Sequence, residues 1–290
     1  MGRPAKITQA TPRIERFFKH NTETTIYTYT ELSKLLQTHR TKWDVAKAFQ
    51  TDAFIEVLQN LGLQKINLPF LPVPLNRYVF GTITYADLLK MGLTVNKGAY
   101  LSHYTALYLH ELTEQIPKTI YVSYEQKPKP GNRAGTLIQT NIDRAFQGKP
   151  RISNNVATYE DYKIILLNGK NTESTGVVSN SGLRVTDLER TLIDCVVRPF
   201  YAGGVFEVLK AFKYAKEKVS INKLQAMLNK INYIYPYKQA LGFYLERAEY
   251  REKQMELLQL EPFTCDFYLT YQMKDREYSP RWHLYYPKGM

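Results

Sequence analysis

The chain has 290 residues, of which 44% are hydrophobic and 13% aromatic, so its composition excludes an intrinsically disordered protein. Its length exceeds that of one typical domain, and we expect two or three domains with cores of their own. The formal net charge of +12 makes a polyanion such as nucleic acid the expected partner, because Lys and Arg side chains release counterions from phosphates.

The N-terminal sequence and the cysteines bear on the cellular compartment. The N-terminal segment has no apolar core of the kind found in signal peptides, and no apolar run long enough to cross a membrane occurs in the sequence. Cys195 and Cys265 are too few for a disulfide framework, and we expect both to be buried thiols in a reducing environment. These observations predict a cytoplasmic protein with no membrane partner.

Residues 1–75 form the first predicted domain, because their helical pattern ends at a cluster of prolines. We expect a short helix over residues 12–19, a strand over residues 26–29 and a second helix capped by Thr30. A third helix begins at Thr51, and the strand-like segment LQKINLPF follows it. The order helix, strand, helix, helix, strand is typical of a winged helix-turn-helix domain, with a small three-helix domain as the alternative.

A winged helix-turn-helix would give the basic charge a mechanism. The last helix of the motif enters the major groove by its N-terminal residues, and the strand that follows contacts the phosphate backbone. We therefore predict one group of residues near base edges or phosphates and a second group at phosphates. The first group is Lys47, Gln50 and Thr51, and the second is Arg40, Lys42, Lys65 and Asn67. An ordinary solvated face would account for the same residues.

The first few residues offer a further candidate contact with DNA. Gly2-Arg3-Pro4 resembles the core of an AT-hook, a motif that inserts an arginine into a narrow minor groove. The arginine that precedes the glycine in that motif is missing here. We therefore predict only that Arg3 and Lys6 form a basic arm.

Residues 76–290 form a second, larger predicted domain of mixed α+β type. Its helices are expected over residues 85–90, from Ser102 onward, and over residues 221–231 and 237–248, and its strands over residues 118–124, 163–167, 175–178, 263–271 and 282–286. The segment KPKPGNRAG is a basic loop between these elements. Asn168 and Gly169, within the sequence NGKN, predict a hairpin turn between two of the strands.

Two motifs in this domain contain part of a catalytic pattern. His110 and Glu114 resemble a zinc-binding HExxH helix without its second histidine, and we expect no metal because no third ligand is indicated. The E-x-K sequence of Glu125 and Lys127, directly after a strand, resembles half of a metal-dependent nuclease site. The upstream acidic residue that such a site needs is not evident. A DNA-targeting nuclease is therefore the alternative function.

Residues 185–204, VTDLERTLIDCVVRPFYAGG, carry the clearest local signals in the chain. Thr186 and Glu189 have the spacing of a capping box and predict the start of a helix. Arg190 and Asp194 lie one turn apart in that helix and can pair. A proline and two glycines then end it, before a second amphipathic helix. The segment contains no nucleophile with a base, so we predict no catalytic residue.

The sequence ERTLIDCVVRPFYAGG closely resembles the corresponding block of AbiEi-type antitoxins, which belong to bacterial type IV toxin–antitoxin systems of abortive infection and phage defence. Three more segments resemble that family in the same order. They are AYLSHYTALYLHELTEQIPKTIYVSYEQ, YPYKQALGFYLERAEY and WHLYYPKG. The resemblance covers most of the chain, but residues 42–50 depart from the family pattern, which leaves the approach to the predicted third helix without an alignment.

The resemblance implies a winged helix domain that binds inverted repeats in its own promoter and represses the operon. It also implies a C-terminal region that counteracts a nucleotidyltransferase-like toxin, without a stable complex between the two. We therefore expect a bacterial antitoxin and repressor of α+β fold, with a winged helix-turn-helix domain at residues 1–75 and an antitoxin domain at residues 76–290. We expect neither enzymatic activity nor a cofactor. A transcription factor that responds to a small ligand is the third possibility.

Two arginines of the predicted antitoxin domain are candidate surface contacts. Arg190 and Arg198 lie in the family-like block and would meet a toxin or RNA if they were exposed. Helix spacing instead favours an internal brace, because Arg190 can pair with Asp194 one turn away.

Overall fold

The computed structural model describes residues 6–20, 26–127, 137–260 and 262–290. Two compact units make up the fold: Met1–Lys97 with Val156–Glu160, and Gly98–Asn155 with Asp161–Met290. Both helices and sheets occur throughout, which confirms the predicted α+β class. No helix among the described residues combines the length and the hydropathy that a membrane span requires.

The first unit begins with helices and closes with a hairpin and a further helix. Its elements are α1 (Lys6–His20), β1 (Ile26–Tyr27), α2 (Tyr29–Trp43), α3 (Thr51–Asn60), β2 (Leu63–Leu68), β3 (Leu75–Phe80) and α4 (Tyr85–Leu93). Strand β3 lies between β1 and β2 and is antiparallel to both. The boundary expected at residue 75 falls inside this hairpin. Because β2 and β3 pair along their whole length, the first unit continues to Lys97.

Side chains from all three N-terminal helices form the core of the first unit. Ile14 of α1, Trp43 of α2 and Phe54 of α3 are almost fully buried. Helix α2 starts two residues earlier than expected, because Thr28 rather than Thr30 caps it. The Thr28 hydroxyl accepts from the backbone N–H of Glu31 at 3.2 Å, and the Glu31 carboxylate accepts from the Thr28 N–H at 2.7 Å.

The second unit is larger and contains two sheets surrounded by helices. Its elements up to residue 197 are β4 (Tyr100–Leu101), α5 (His103–Leu109), β5 (Thr119–Glu125), α6 (Gln139–Gln147), β7 (Tyr162–Gly169), β8 (Val177–Asn180), β9 (Leu183–Thr186) and α7 (Leu188–Val197). A single 3-10 turn (Pro199–Tyr201) and α8 (Val205–Ala215), α9 (Ile221–Ile231), α10 (Tyr237–Arg247), α11 (Glu252–Glu256), β10 (Phe267–Tyr268), β11 (Arg276–Ser279) and β12 (Leu284–Pro287) follow. Strand β6 (Val156–Tyr159) groups with the first unit.

Five strands of the second unit lie in one sheet in the order β7-β5-β4-β9-β8, and its last three lie in another in the order β10-β12-β11. The hairpin turn predicted at Asn168 and Gly169 is wrong. Strand β7 runs parallel to β5 to its end, where Asn168 pairs with Tyr124 and Gly169 with Glu125. Since β8 lies at the far edge of the sheet, the chain crosses over after β7 instead of turning back.

Helix α7 is the centre of the second unit and packs against α5, α8, α9 and α10. Its residues from Glu189 to Val196 are all buried. The predicted capping box is wrong by one position: Asp187, not Thr186, accepts from the Arg190 N–H at 2.8 Å. Thr186 ends strand β9, and its hydroxyl lies 2.7 Å from that of Thr191 instead of satisfying the backbone.

The two cysteines and the two glycines after α7 lie closer to what the sequence predicts. Cys195 is fully buried, and burial raises the pKa of its thiol well above the usual value, so it is an unreactive core residue. Cys265 is half-buried and is also a free thiol. Gly203 and Gly204 both adopt positive φ, at 80° and 97°, and α8 begins directly after them.

Candidate functional site

The residues predicted to lie near base edges or phosphates are at and just before the start of α3. Lys47 and Gln50 are exposed, and Gln50 is the N-terminal cap residue of the helix. Thr51 is half-buried, and its hydroxyl donates to Ser33 Oγ of α2 at 3.1 Å. Lys47 and Gln50 are therefore accessible to a ligand, whereas Thr51 holds α2 and α3 together.

The four residues predicted to contact phosphates differ in the same way. The Arg40 guanidinium donates to the backbone carbonyls of Ala46 and Phe49, the latter at 3.0 Å, and so closes the turn between α2 and α3. Asn67 donates to Asn76 across the β2–β3 pair at 3.1 Å. Lys42 and Lys65 are exposed, and their ammonium groups form no hydrogen bond or ion pair with a described residue.

Helix α3 itself carries no Lys or Arg, and its exposed charged residues are Asp52 and Glu56. Cations that meet phosphates must therefore come from segments that flank α3. The candidate arm lies outside what the structure describes, because Arg3 and the Lys6 side chain are not part of it.

A basic cluster in the first unit was not expected from the sequence. It surrounds a cavity of about 510 Å³ and is lined by Arg13, Arg16, His20 and Lys42, together with Phe17 and Trp43. The signal for it was present in α1, where two arginines and a histidine recur at i, i+3 and i+7 and therefore share one face of the helix. Lys42 brings a fourth basic side chain from the end of α2.

Arg190 forms the centre of a buried polar network in the second unit. Its Nε donates to Asp194 Oδ1 at 2.8 Å, and its Nη1 donates to Thr172 Oγ1 at 3.0 Å and to the Thr175 carbonyl at 2.6 Å. Burial opposes the charge of the guanidinium, but the Asp194 carboxylate outweighs it and raises the pKa of Arg190 above its usual value. Arg190 is thus the internal brace that helix spacing favours and not a surface contact.

Glu125 holds the loop that covers Arg190. Its carboxylate accepts from the Thr172 N–H at 3.1 Å and the Ser174 N–H at 3.2 Å, and also from the Thr172 hydroxyl. The loop then approaches α7 so closely that a Cβ on Gly176 would lie 2.6 Å from the Cβ of Arg190. The acidic residue of the E-x-K sequence is therefore engaged in positioning backbone.

Neither metal hypothesis gains a ligand set from the geometry. Across residues 6–20, 26–127, 137–260 and 262–290, no three His, Cys, Asp or Glu side chains are grouped as metal ligands would be. His110 donates from Nε2 to the Thr186 carbonyl at 2.6 Å and so connects α5 to the end of β9. Glu114 accepts from the Tyr214 hydroxyl at 3.2 Å.

His103 is a buried histidine with an unusual backbone. It adopts a positive φ of 51° at the start of α5, and its Nδ1 lies 2.9 Å from Ser102 Oγ. Burial, with the positive charges of Arg198 and Arg190, lowers the pKa of His103 well below its usual value. The neutral ring packs edge-on against Tyr201 at 5.4 Å between centroids. Strain at a buried polar residue is common near functional sites.

A large cavity beside this network contains the other predicted arginine. Arg198, at the C-terminal end of α7, lines a space of about 990 Å³ within the second unit. The same arginine lines a smaller cavity of about 70 Å³ that includes His103, Arg190 and Asp194. Arg198 is half-exposed, unlike Arg190, and is accessible from the larger cavity.

Comparison with known proteins identifies a shared fold. No family model and no curated protein matches the chain. The structure is similar to the crystal structure of the RV2827C protein from Mycobacterium tuberculosis, with a TM-score of 0.59 and 12% sequence identity. The similarity covers 97% of this chain and 91% of that one. At this identity the match shows a common α+β fold over nearly the whole chain.

Proposed function

We propose that the chain is an antitoxin and repressor of the AbiEi type, whose first unit is a winged helix-turn-helix that binds promoter DNA. The observation that carries the proposal is the element order α1-β1-α2-α3-β2-β3, with β3 between β1 and β2 in an antiparallel sheet. In this arrangement α3 is the recognition helix and the β2–β3 hairpin is the wing. The positive net charge of the chain supports the same class of partner.

The charges around α3 specify how such a unit would bind. The helix has two exposed carboxylates and no cation, so affinity comes from the lysines that flank it. Lys47 precedes α3, Lys42 lies in the last turn of α2 and Lys65 lies on the wing strand β2. All three side chains are exposed. Gln50 is the accessible neutral group at the helix start, and an amide side chain can pair with an adenine edge.

The experiment measures binding of the full chain to the DNA upstream of its own gene by fluorescence anisotropy. The test variant is Lys47→Ala with Gln50→Ala, because both side chains are exposed. Lys90→Ala is the matched control, since Lys90 is an exposed lysine on α4. We expect at least about tenfold weaker specific binding for the double variant, as for loss of one base contact and one phosphate contact. Equal binding by the double variant and the control would reject α3 as the recognition helix.

The antitoxin part of the proposal rests on the family-like segments of the second unit and needs a separate test. The full chain is expressed together with the nucleotidyltransferase-like toxin that we expect a neighbouring gene to encode. We expect growth to be restored by the wild type and equally by the Lys47→Ala, Gln50→Ala variant, because toxin opposition is assigned to residues outside the first unit. Continued growth arrest with the wild type would reject the antitoxin function and leave DNA binding unaffected.

A further inference from the structure

The cavity of about 990 Å³ in the second unit has the dimensions of a small-molecule site. Five separate stretches of chain contribute to it: the end of α6 and the loop after it, the residue after β7, the C-terminal end of α7 with the turn that follows, the segment between α9 and α10, and the loop after β10. All of its lining residues belong to the second unit. A space of this kind admits a single nucleotide but not a double helix.

Positive charge dominates the lining of this cavity. Its charged residues are Lys149, Arg151, Lys170 and Arg198, and no Asp or Glu is among the described residues that line it. Lys149, Arg151 and Arg198 form no side-chain hydrogen bond or ion pair within the described part of the chain. Burial raises the pKa of Asp194, and Arg190 and Arg198 oppose that rise, so Arg198 is partly balanced by an acid that is not among the lining residues. Cations gathered in a concave site favour an anionic ligand, and the planar guanidinium suits phosphate in particular.

Arg151, Arg198 and Tyr271 line the same cavity. Burial and the neighbouring Tyr235 raise the pKa of the Tyr271 hydroxyl, and Arg198 and Arg151 oppose that rise. Arg151 and Arg198 come from segments that are distant in sequence, so the fold places two like charges, which repel each other, in the lining of one cavity. An anion between them would relieve that repulsion.

Five of the described residues that line the cavity are aromatic: Phe200, Tyr233, Tyr235, Tyr237 and Tyr271. Tyr271 is stacked on Phe146 at 4.5 Å between centroids and meets the edge of Phe200 at 6.2 Å. Tyr233 lies beneath the ammonium group of Lys170, whose Nζ is 5.8 Å from the ring centroid. That ammonium also donates to the carbonyl of Ile231 at 2.8 Å. These contacts fix the orientations of Tyr271 and Tyr233 before any ligand enters, which lowers the entropy cost of binding.

We propose that this cavity binds an unpaired nucleotide, with its phosphate between Arg151 and Arg198 and its base against the tyrosine rings. An inorganic anion would use only the cations of the lining, and an apolar molecule would use only its aromatic rings. Nucleotides satisfy both, because aromatic stacking and arginine contacts are the usual means of binding single-stranded nucleic acid. The site is separate from the DNA-binding surface proposed for the first unit and extends the function of the chain beyond it.

The test is calorimetric titration of the full-length protein with each of the four ribonucleoside monophosphates, inorganic phosphate and adenosine, at millimolar concentration. We expect one saturable site for at least one monophosphate, and binding at least about tenfold weaker for phosphate and for adenosine, since each lacks one half of the contacts. A four-nucleotide single-stranded RNA is titrated alongside. Tighter binding of the RNA than of the monophosphates would identify the end of an RNA strand as the ligand. Equal binding would identify a free nucleotide as the ligand, and both results support the proposal.

Charge reversal shows whether the binding belongs to this cavity. Arg151→Glu and Lys149→Glu change exposed side chains that brace nothing in the described structure, so the fold should be kept. Lys213→Glu on α8 is the matched control of equal charge change outside the cavity. We expect the cavity variants to weaken nucleotide binding about tenfold or more and the control to leave it unchanged. Absence of binding by every nucleotide, equal affinity for phosphate, or equal loss in the control would overturn the proposal.

Discussion

Arg190 and Asp194 form an ion pair of 2.8 Å across one turn of α7, and their side chains are only 5% and 8% exposed. Such a pair costs desolvation free energy on folding, and replacing it by apolar residues is often neutral or stabilising. Here the guanidinium also donates to Thr172 and to the Thr175 carbonyl, so it connects the loop after β7 to the central helix. The buried Arg190 therefore contributes to the fold by fixing the position of that loop.

We expect Arg190→Met to destabilise the protein by about 3–5 kcal/mol, because it leaves the Asp194 carboxylate buried without its cation. The double variant Arg190→Met, Asp194→Leu should recover a large part of that loss. Both are measured as free energies of unfolding in urea. Lys210→Met, which breaks the exposed pair with Glu207, is the control and should change stability little. If Arg190→Met is no more harmful than this control, the buried pair does not stabilise the fold.

The contacts of the Glu189 carboxylate predict that the stability of the folded protein depends on pH. Burial alone would raise the pKa of its carboxyl group, but hydrogen bonds from Lys223 and the Ser220 N–H outweigh burial and lower it from 4.5. A lowered folded-state pKa contributes stability above the unfolded pKa, and this contribution disappears as the pH falls through the folded value. The hydrogen bond from Lys223 is the largest of the interactions that lower this pKa, and the Lys223 Nζ lies 2.7 Å from the Glu189 carboxylate.

The variant Glu189→Gln should therefore be less stable than the wild type by roughly 1 kcal/mol at neutral pH, since it replaces charge-assisted hydrogen bonds by neutral ones. The difference should shrink as the pH is lowered below 4.5. Urea unfolding over a pH series measures it, with the exposed Glu256→Gln as the control. A difference that stays constant down to acid pH would show that the Glu189 charge is not stabilised in the fold.

Gly242 in the middle of α10 lies directly against Trp282. A Cβ at this position would be 2.0 Å from the nearest atom of the indole ring, and Trp282 is fully buried. Alanine normally stabilises a helix interior by about 1 kcal/mol relative to glycine. Overpacking reverses the sign here, and we expect Gly242→Ala to cost about 1–3 kcal/mol or more.

Thermal and urea unfolding of Gly242→Ala test this expectation against Gly169→Ala. Gly169 is the matched control because its added Cβ would make only an ordinary contact of 3.9 Å with the Tyr124 carbonyl. We expect the control to unfold within a few tenths of a kcal/mol of the wild type. A Gly242→Ala protein as stable as the wild type would mean that α10 and Trp282 are not packed at this distance.

The long elements of the second unit could be predicted because each carries its own periodic pattern. Residues 221–231 have apolar side chains at helical spacing and form α9 with those bounds, and the alternating strand predicted over residues 118–124 corresponds to β5 at Thr119–Glu125. Strands of four residues such as β9 and β11 have no such pattern. They exist because partners elsewhere in the chain pair with them, and the sequence does not show pairing.

For the candidate sites too, the sequence predicts contacts within one element but not contacts between distant segments. Arg190 and Asp194 were predictable as a pair because they lie one turn apart in one helix. The cavity was not predictable, since its basic residues lie in three separate segments and form no linear motif. Near α3, composition suggested a set of polar contacts, but only the structure separates the accessible Lys47 from Arg40, whose guanidinium is committed to the backbone.

The accessible lysines predict how DNA binding varies with salt. Lys42 and Lys65 are exposed side chains at the end of α2 and on strand β2, and the proposed function assigns one phosphate contact to each. Loss of one phosphate contact lowers the slope of log K against log salt by about 1. The variant Lys42→Ala, Lys65→Ala should therefore bind promoter DNA with a slope smaller by about 2, while its preference for specific over nonspecific DNA stays the same. Anisotropy titrations over a salt series measure both quantities. Lys90→Ala should keep the wild-type slope. An unchanged slope in the double variant would exclude Lys42 and Lys65 as phosphate contacts, and Arg13 and Arg16, which line a cavity together with Lys42, would be the next residues to test.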